Sequence, residues 1–239
     1  MAKNKKKSKS EEIEKNFDWE ANDDCTNVEF VVENVRLAFS GNGKTLFEPE
    51  EFKKSVRYKA DFILEDDDTR DQLLEIVQFL VRENVDGQED LTLDMDSFDG
   101  DIEGLSSLFL KIGDENTNKE GEPYDGFAGN LYIGGKRAEK LGRPTVFADT
   151  QEEIEDANDK RIMKDGCYVN LAARAYYSTE WEMIGCTIEA VLFTDEGESF
   201  SVDNSYGGNE SKKNKLMGSH KPKKSKASKA FDKKKKKSK

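Results

Sequence analysis

Apolar and polar positions alternate over Cys167–Ser178. Cys167, Val169, Leu171, Ala173 and Ala175 fall on one side of a period-2 strand, and Tyr168, Asn170, Arg174 and Tyr176 on the other. A second alternating run covers Met183–Phe193, with Ile184, Cys186, Ile188, Ala190 and Leu192 set against Gly185, Thr187, Glu189, Val191 and Phe193. The short polar link between them holds Trp181, so the two runs read as an antiparallel hairpin. Upstream, Thr26–Phe39 predicts a long strand whose alternation slips at Val31-Val32, where a β-bulge is expected. Val56–Leu64 predicts another, with Val56, Tyr58, Ala60, Phe62 and Leu64 on one face and Arg57, Lys59 and Asp61 on the other. Leu73, Ile76, Val77, Leu80 and Val81 then recur at helical spacing. With capping oxygens and negative charge from Asp66–Thr69, this predicts an amphipathic helix over Thr69–Asn84. Short strands are expected at Leu108–Ile112, at Gly129–Ile133 with Tyr132 outward, and at Pro144–Ala148, and a weak helix at Gln151–Ala157.

Five or so strands, one interposed helix and variable polar loops fit an OB-fold-like antiparallel barrel better than a parallel α/β sheet. The expected class is therefore mainly β, with one amphipathic helix and disordered charged tails. Residues 1–24 read as a disordered arm, 25–205 as the folded domain with an acidic insertion at 86–104, and 206–239 as a lysine-rich tail. The small apolar side of Cys167–Ser178 suits a core. Its other side interleaves flat rings with an amide and a guanidinium, which is the chemistry of base stacking and phosphate pairing.

Charge sharpens this picture. The formal net of −12 hides a partition: about +5 in the first ten residues, and about +13 over Ser211–Lys239 from fourteen lysines and one aspartate. Some −30 is left on the residues between, a density that repels nucleic acid unless the basic groups cluster. They do cluster: Arg36, Arg57 and Lys59 on strands, Lys136, Arg137, Lys140 and Arg143 in what reads as one loop, and Arg174.

Several chemistries are disfavoured. Ala38–Thr45 ends like a phosphate-binding loop, but alanine replaces its first glycine and Leu46–Pro49 does not begin a helix. Asp94–Asp101 fails as a calcium loop in both registers that place its glycine or its first aspartate. The one histidine, His220, lies in the lysine tail, and Cys25, Cys167 and Cys186 have no metal-type spacing, so neither a metal site nor a cofactor is expected. No run approaches the roughly 18 apolar residues a membrane helix needs. Free thiols on core faces suit a reducing compartment.

The segments Lys164–Asn170, Arg174–Tyr177, Ile188–Phe193 and Glu196–Phe200 resemble the closing hairpin of tailed-phage single-stranded-DNA-binding proteins, which are OB-fold replication proteins. Asn34–Phe39 and Val56–Leu64 resemble that family's first strands, and Tyr124–Phe127 and Arg143–Phe147 its middle segments, in matching order. The resemblance implies sequence-independent, non-catalytic binding and protection of single-stranded DNA in phage replication and recombination, within the host cytoplasm. On this reading Tyr132, Phe147, Tyr168, Tyr176 and Trp181 stack on bases. Arg36, Arg57, Lys59, Lys136, Arg137, Arg143 and Arg174 pair with phosphates, and Asn170 bonds a base edge or a phosphate. Family members carry an acidic tail that recruits polymerase and helicase, whereas Lys212–Lys239 is basic. Phage polymerase, helicase or primase and a homodimer therefore stand as open partners. The tail is left to contact DNA, to lie on the acidic body, to act as an import signal or simply to be solvated. A second reading is an acidic OB-like interaction scaffold whose lysines grip duplex nucleic acid or an acidic partner.

Overall fold

A computed structural model describes residues 19–200 apart from 53, 54, 160 and 162. Its elements are β1 (Trp19–Ala21), β2 (Asn27–Ala38), β3 (Glu50–Phe52), β4 (Ser55–Leu64), α1 (Asp67–Asn84), β5 (Leu110–Ile112), β6 (Leu131–Ala138), β7 (Thr145–Phe147), β8 (Tyr168–Ser178) and β9 (Met183–Asp195). Strand β2 pairs with both β8 and β4, β4 with β6, β6 with β9, and β9 with β8. Five strands thereby close on themselves. All those contacts are antiparallel except β6–β9, a parallel contact at Lys136 and Thr187. This is an OB-like barrel, with β1, β3, β5 and β7 as short additions on its edges.

Alternation fills the barrel. Val28, Phe30, Val32, Val35 and Leu37 from β2, Ala60, Phe62 and Leu64 from β4, Ile133 from β6, Val169, Leu171, Ala173 and Ala175 from β8, and Ile184, Cys186 and Ile188 from β9 are all buried in one core. The Cys167 and Cys186 thiols belong to it; burial pushes Cys167 up to about 12 and raises Cys186 as well. Helix α1 lies between the second and third barrel strands. The Asp66 carboxylate caps it by accepting from the Thr69 amide at 2.8 Å, a contact worth about 1 kcal/mol. Its apolar stripe, Leu73, Leu74, Ile76, Val77, Leu80 and Val81, joins the same core.

The structure departs from the sequence expectations at identifiable points. In β2 the register shift falls between Val32 and Val35, later than Val31-Val32. Asn34 adopts φ 55° there, a left-handed conformation asparagine tolerates, and its amide donates to the Asn170 side-chain oxygen at 3.0 Å. In β9, Ala173 pairs with Ile188 but Ala172 with Ala190, so Glu189 is an extra residue. That bulge turns Val191 into the core at 0% exposure and reverses the expected faces of 190–193. Strand β6 runs on to Ala138, so Lys136 and Arg137 are strand residues rather than loop residues. Residues 151–157 are not helical: the Ile154 amide donates to the Val146 carbonyl at 2.7 Å, and Ile154 is buried. Ordered pairing starts inside the expected N-terminal arm, with Trp19 opposite Phe30. The insertion 86–104 has no regular element, yet it buries Phe98 and Ile102 and lays Leu91, Leu93 and Met95 on the core. It is tied to α1 by Arg82 Nε donating to the Leu91 carbonyl and by the Leu93 amide donating to Gln78. Residues 1–18 of the expected 1–24 arm, residues 201–205 of the expected domain and the whole expected tail 206–239 lie outside the described residues.

Candidate nucleic-acid interface

The outer side of the barrel carries two rows of side chains set by strand register. Lys59 stands opposite Lys136, Lys136 opposite Thr187, and Thr187 opposite Arg174, so one row crosses β4, β6, β9 and β8. In the other, Lys111 is opposite Tyr132, Tyr132 opposite Ile63, Ile63 opposite Arg36, and Arg36 opposite Tyr168. Both rows cross β4 and β6. The outer face of the second and third strands is where OB barrels engage oligonucleotides, together with the loops joining strands 1–2 and 4–5.

The first row is electropositive. Lys136 has its pKa lowered, first by burial and then by the charges of Lys111, Arg57 and Lys59, with Asp61 opposing them. Lys59 is paired with Glu50 at 2.7 Å and Arg174 with Glu189 at 3.2 Å. Two residues before Lys136 and Thr187 on their parallel strands come Gly134 and Gly185, which put no side chain on this face. A Cβ on Gly185 would come within 2.5 Å of the Tyr176 ring, so that ring lies directly over the glycine. Burial raises the Tyr176 phenol, while the Arg174 and Arg57 guanidiniums pull against that rise. Arg57, Lys59, Lys136, Arg174 and Tyr176 are thus brought together. Trp181 sits in the turn between β8 and β9, the loop joining the fourth and fifth barrel strands, and is 65% exposed. Beyond Arg174 the surface opens into a cleft of about 960 Å³ walled by Trp19, Val31, Arg137 and Leu141.

The second row is more occupied. Tyr132 points outward as expected, but it is only 9% exposed because Phe127 meets its ring edge-on at 4.9 Å. Phe127 in turn stacks on Phe39 at 5.2 Å, and Phe39 meets Tyr124 at 5.0 Å. The partly buried rim of this second cluster is Phe39, Tyr124 and Phe200. Arg36 donates to the Gly166 and Glu198 carbonyls and to Glu65, and lies 4.4 Å over the Phe200 ring. Tyr168 donates its hydroxyl to the other oxygen of Glu65 at 2.9 Å. Tyr168 is eight residues from Tyr176 along β8, roughly 26 Å at strand rise, so the two rings serve opposite ends of the face.

Four expected site residues stand apart from the rows. Arg137 donates to the carbonyls of Leu141, Gly142 and Ile188 and to Glu189, which fastens the β9 bulge to the turn after β6. Arg143 donates to the Pro144 and Ile154 carbonyls, pairs with Glu153 and lies 5.5 Å over the Phe47 ring. Phe147 is half-buried in β7 opposite Leu192. Asn170 holds the β2 bulge. Lys111, Phe39, Tyr124 and Phe200 were not among the expected site residues. The alternation of Leu110, Lys111 and Ile112 marks Lys111 as the outward member of its strand, and Tyr124–Phe127 was visible as a matched segment.

The phosphate-loop candidate is settled by its surroundings. Ser40 and the amide of Asn42 donate to Asp165, a single 3₁₀ turn follows at Lys44–Leu46, and Lys44 pairs with Glu48 at 3.1 Å. Among the described residues no group of acidic, histidine or cysteine side chains is arranged to hold a metal. Nor is any helix among them long and apolar enough to cross a membrane.

Residues 28–214 match the family model for the ssDNA-binding protein of Enterobacter phage Enc34. Protein p50 of Acyrthosiphon pisum secondary endosymbiont phage 1 is 31% identical over 172 residues, which span 70% of this chain and 84% of that protein. Among solved structures, the bacteriophage Enc34 single-stranded-DNA-binding protein in complex with ssDNA superposes with a TM-score of 0.51 at 18% identity. That match covers 74% of this chain and 90% of the other, and it supports the barrel architecture.

Proposed function

The chain belongs to the family of the Enterobacter phage Enc34 ssDNA-binding protein, and from that premise we propose that it binds single-stranded DNA along the outer face of β4, β6, β9 and β8. The observation that carries this is the row Lys59, Lys136, Thr187 and Arg174, with the Tyr176 ring beside it over Gly185. Cations spaced by strand register take successive phosphates. Tyr176 and Trp181 offer flat surfaces to bases, each worth roughly 1–3 kcal/mol. The acidic remainder of the body directs the strand onto this face by repelling it elsewhere.

The role that follows is to coat and protect unpaired DNA during phage replication and recombination in the host cytoplasm. No bond is made or broken. Phage polymerase and helicase or primase work on the same strands, and the lysine-rich end adds sequence-independent phosphate contacts. Anisotropy of a labelled oligo-dT, compared with a duplex of equal length over a salt series, tests the reading. The expected result is preference for the single strand and a slope of log affinity against log salt of roughly −3 from the face itself, about 0.7 for each phosphate met by Arg57, Lys59, Lys136 and Arg174, steepened further by the lysine-rich end. Absence of binding at low salt, or equal affinity for duplex, overturns it.

A further inference from the structure

Between the two rows lies a group that phosphate binding leaves unused. Asp61 points outward from β4, in register with Gly134 on β6 and Ala38 on β2. Because Gly134 has no side chain, Lys111 Cε and Asp61 Oδ1 come within 3.7 and 3.9 Å of the place a Cβ there would occupy. Carboxylate and lysine therefore face one gap. The charged groups around Asp61 are Lys59 on its own strand, Lys111 on β5, Lys136 on β6 and Asp165 ahead of β8, with the Tyr132 phenol nearby. Among the described residues no hydrogen bond reaches the Asp61 carboxylate. Burial lifts its pKa to about 6, with the lysines opposing that rise and Asp165 adding to it.

The half-buried Asp61 carboxylate has only water to donate to it, and a ligand that carries its own donors replaces that water. Phosphates supply none. Base edges do, and in a single strand those edges are free. Guanine presents two adjacent donors, N1–H and N2–H, beside the acceptor O6, which matches two carboxylate oxygens flanked by an ammonium. Cytosine and adenine set a ring nitrogen lone pair against the second carboxylate oxygen. Thymine flanks its one N–H with two carbonyls that repel it.

Building on the DNA-binding reading, we propose that Asp61 with Lys111 and Lys136 forms a base-edge subsite that favours guanine. The carboxylate accepts from N1–H and N2–H while a lysine donates to O6. Binding is therefore not uniform over sequence: a strand slides until a guanine reaches the gap.

The test compares oligo-dT with the same oligomer carrying one central dG, dA or dC, by competition at pH 7.5. The dG oligomer is expected to bind roughly five-fold or more tighter than the other three, since a good bidentate contact discriminates by about that much or more. Asp61→Asn is expected to reduce this ratio to near one. In the unaltered protein the ratio is expected to fall as pH drops through about 6, where Asp61 takes up its proton. That second readout needs no variant and stands even if the substitution perturbs folding. A wild-type ratio of one, or a ratio that survives both Asp61→Asn and acid, overturns the proposal. Failure of the wild type to bind oligo-dT at all is a separate result, which counts against the DNA-binding reading itself.

Discussion

Lys59 and Lys136 stand directly opposite each other on neighbouring strands. Like charges in that position destabilise a sheet by some tenths of a kcal/mol to about 1 kcal/mol. Glu50 relieves Lys59, but Lys136 keeps three cationic neighbours, which add to burial in lowering its pKa. A polyanion laid across the pair removes the repulsion. Lys136→Ala is therefore expected to weaken oligo-dT binding and to reduce the salt slope by about 0.7, with the melting temperature unchanged or slightly higher. A salt titration paired with thermal unfolding checks both halves.

Arg137 is expected to behave in the opposite way. Its guanidinium is committed to three carbonyls and Glu189, with only 14% of the side chain exposed. Arg137→Ala strips those partners and leaves Glu189 with Arg174 alone. A loss of roughly 2–3 kcal/mol in unfolding free energy is expected, with the salt slope of the folded fraction retained. Denaturant unfolding followed by binding below the transition separates the two effects.

Much of this arrangement could be read from periodicity. The faces of Tyr58–Leu64 and Cys167–Ala175 follow from strict alternation, and the α1 stripe from its helical spacing. Barrel closure could not be read, because it depends on one parallel contact between Lys136 and Thr187, far apart in sequence. Single-residue bulges are equally silent. Nothing local in Glu189 marks it as the extra residue that sends Val191 inward. Charge alone did not separate cations that face solvent from those spent on carbonyls, so Arg137 and Arg143 looked like Lys136 and Arg174 in the sequence. Tyr132 was placed on the correct side of its strand, but the Phe127 ring that covers it arrives from a loop.

Trp181 and Trp19 differ in what they report. Trp181 is 65% exposed at the β8–β9 turn, while Trp19 packs against Phe79 at 5.1 Å. Oligo-dT is expected to quench tryptophan emission, and Trp181→Phe to remove most of that quenching. Trp181→Ala is expected to cost roughly 1–3 kcal/mol of binding. Quenching that persists in Trp181→Phe argues that the β8–β9 turn lies off the path of the strand.

Asp61 also leaves a signature in stability. Its carboxyl has a value of about 6 when folded against 3.8 as a free group. The folded protein therefore holds this proton more tightly than the unfolded chain does. The resulting contribution is fully present in acid and is lost as pH rises from about 4 to about 6. Asp61→Asn removes that loss. The variant is expected to be more stable at pH 7.5 by on the order of 2 kcal/mol, with the gap closing below about pH 4. Parallel pH profiles for the two proteins contradict this assignment of the group.

The most direct measurement is an oligo-dT titration of the triple variant Lys136→Ala, Arg174→Ala, Tyr176→Ala, with both lysine-rich ends intact and folding verified by circular dichroism. If unpaired nucleotides lie across the outer face of β4, β6, β9 and β8, affinity is expected to fall at least a hundred-fold and the salt slope by about 1.4, two phosphates' worth. Binding at the unaltered protein's affinity and slope would place the DNA on another surface and contradict the account.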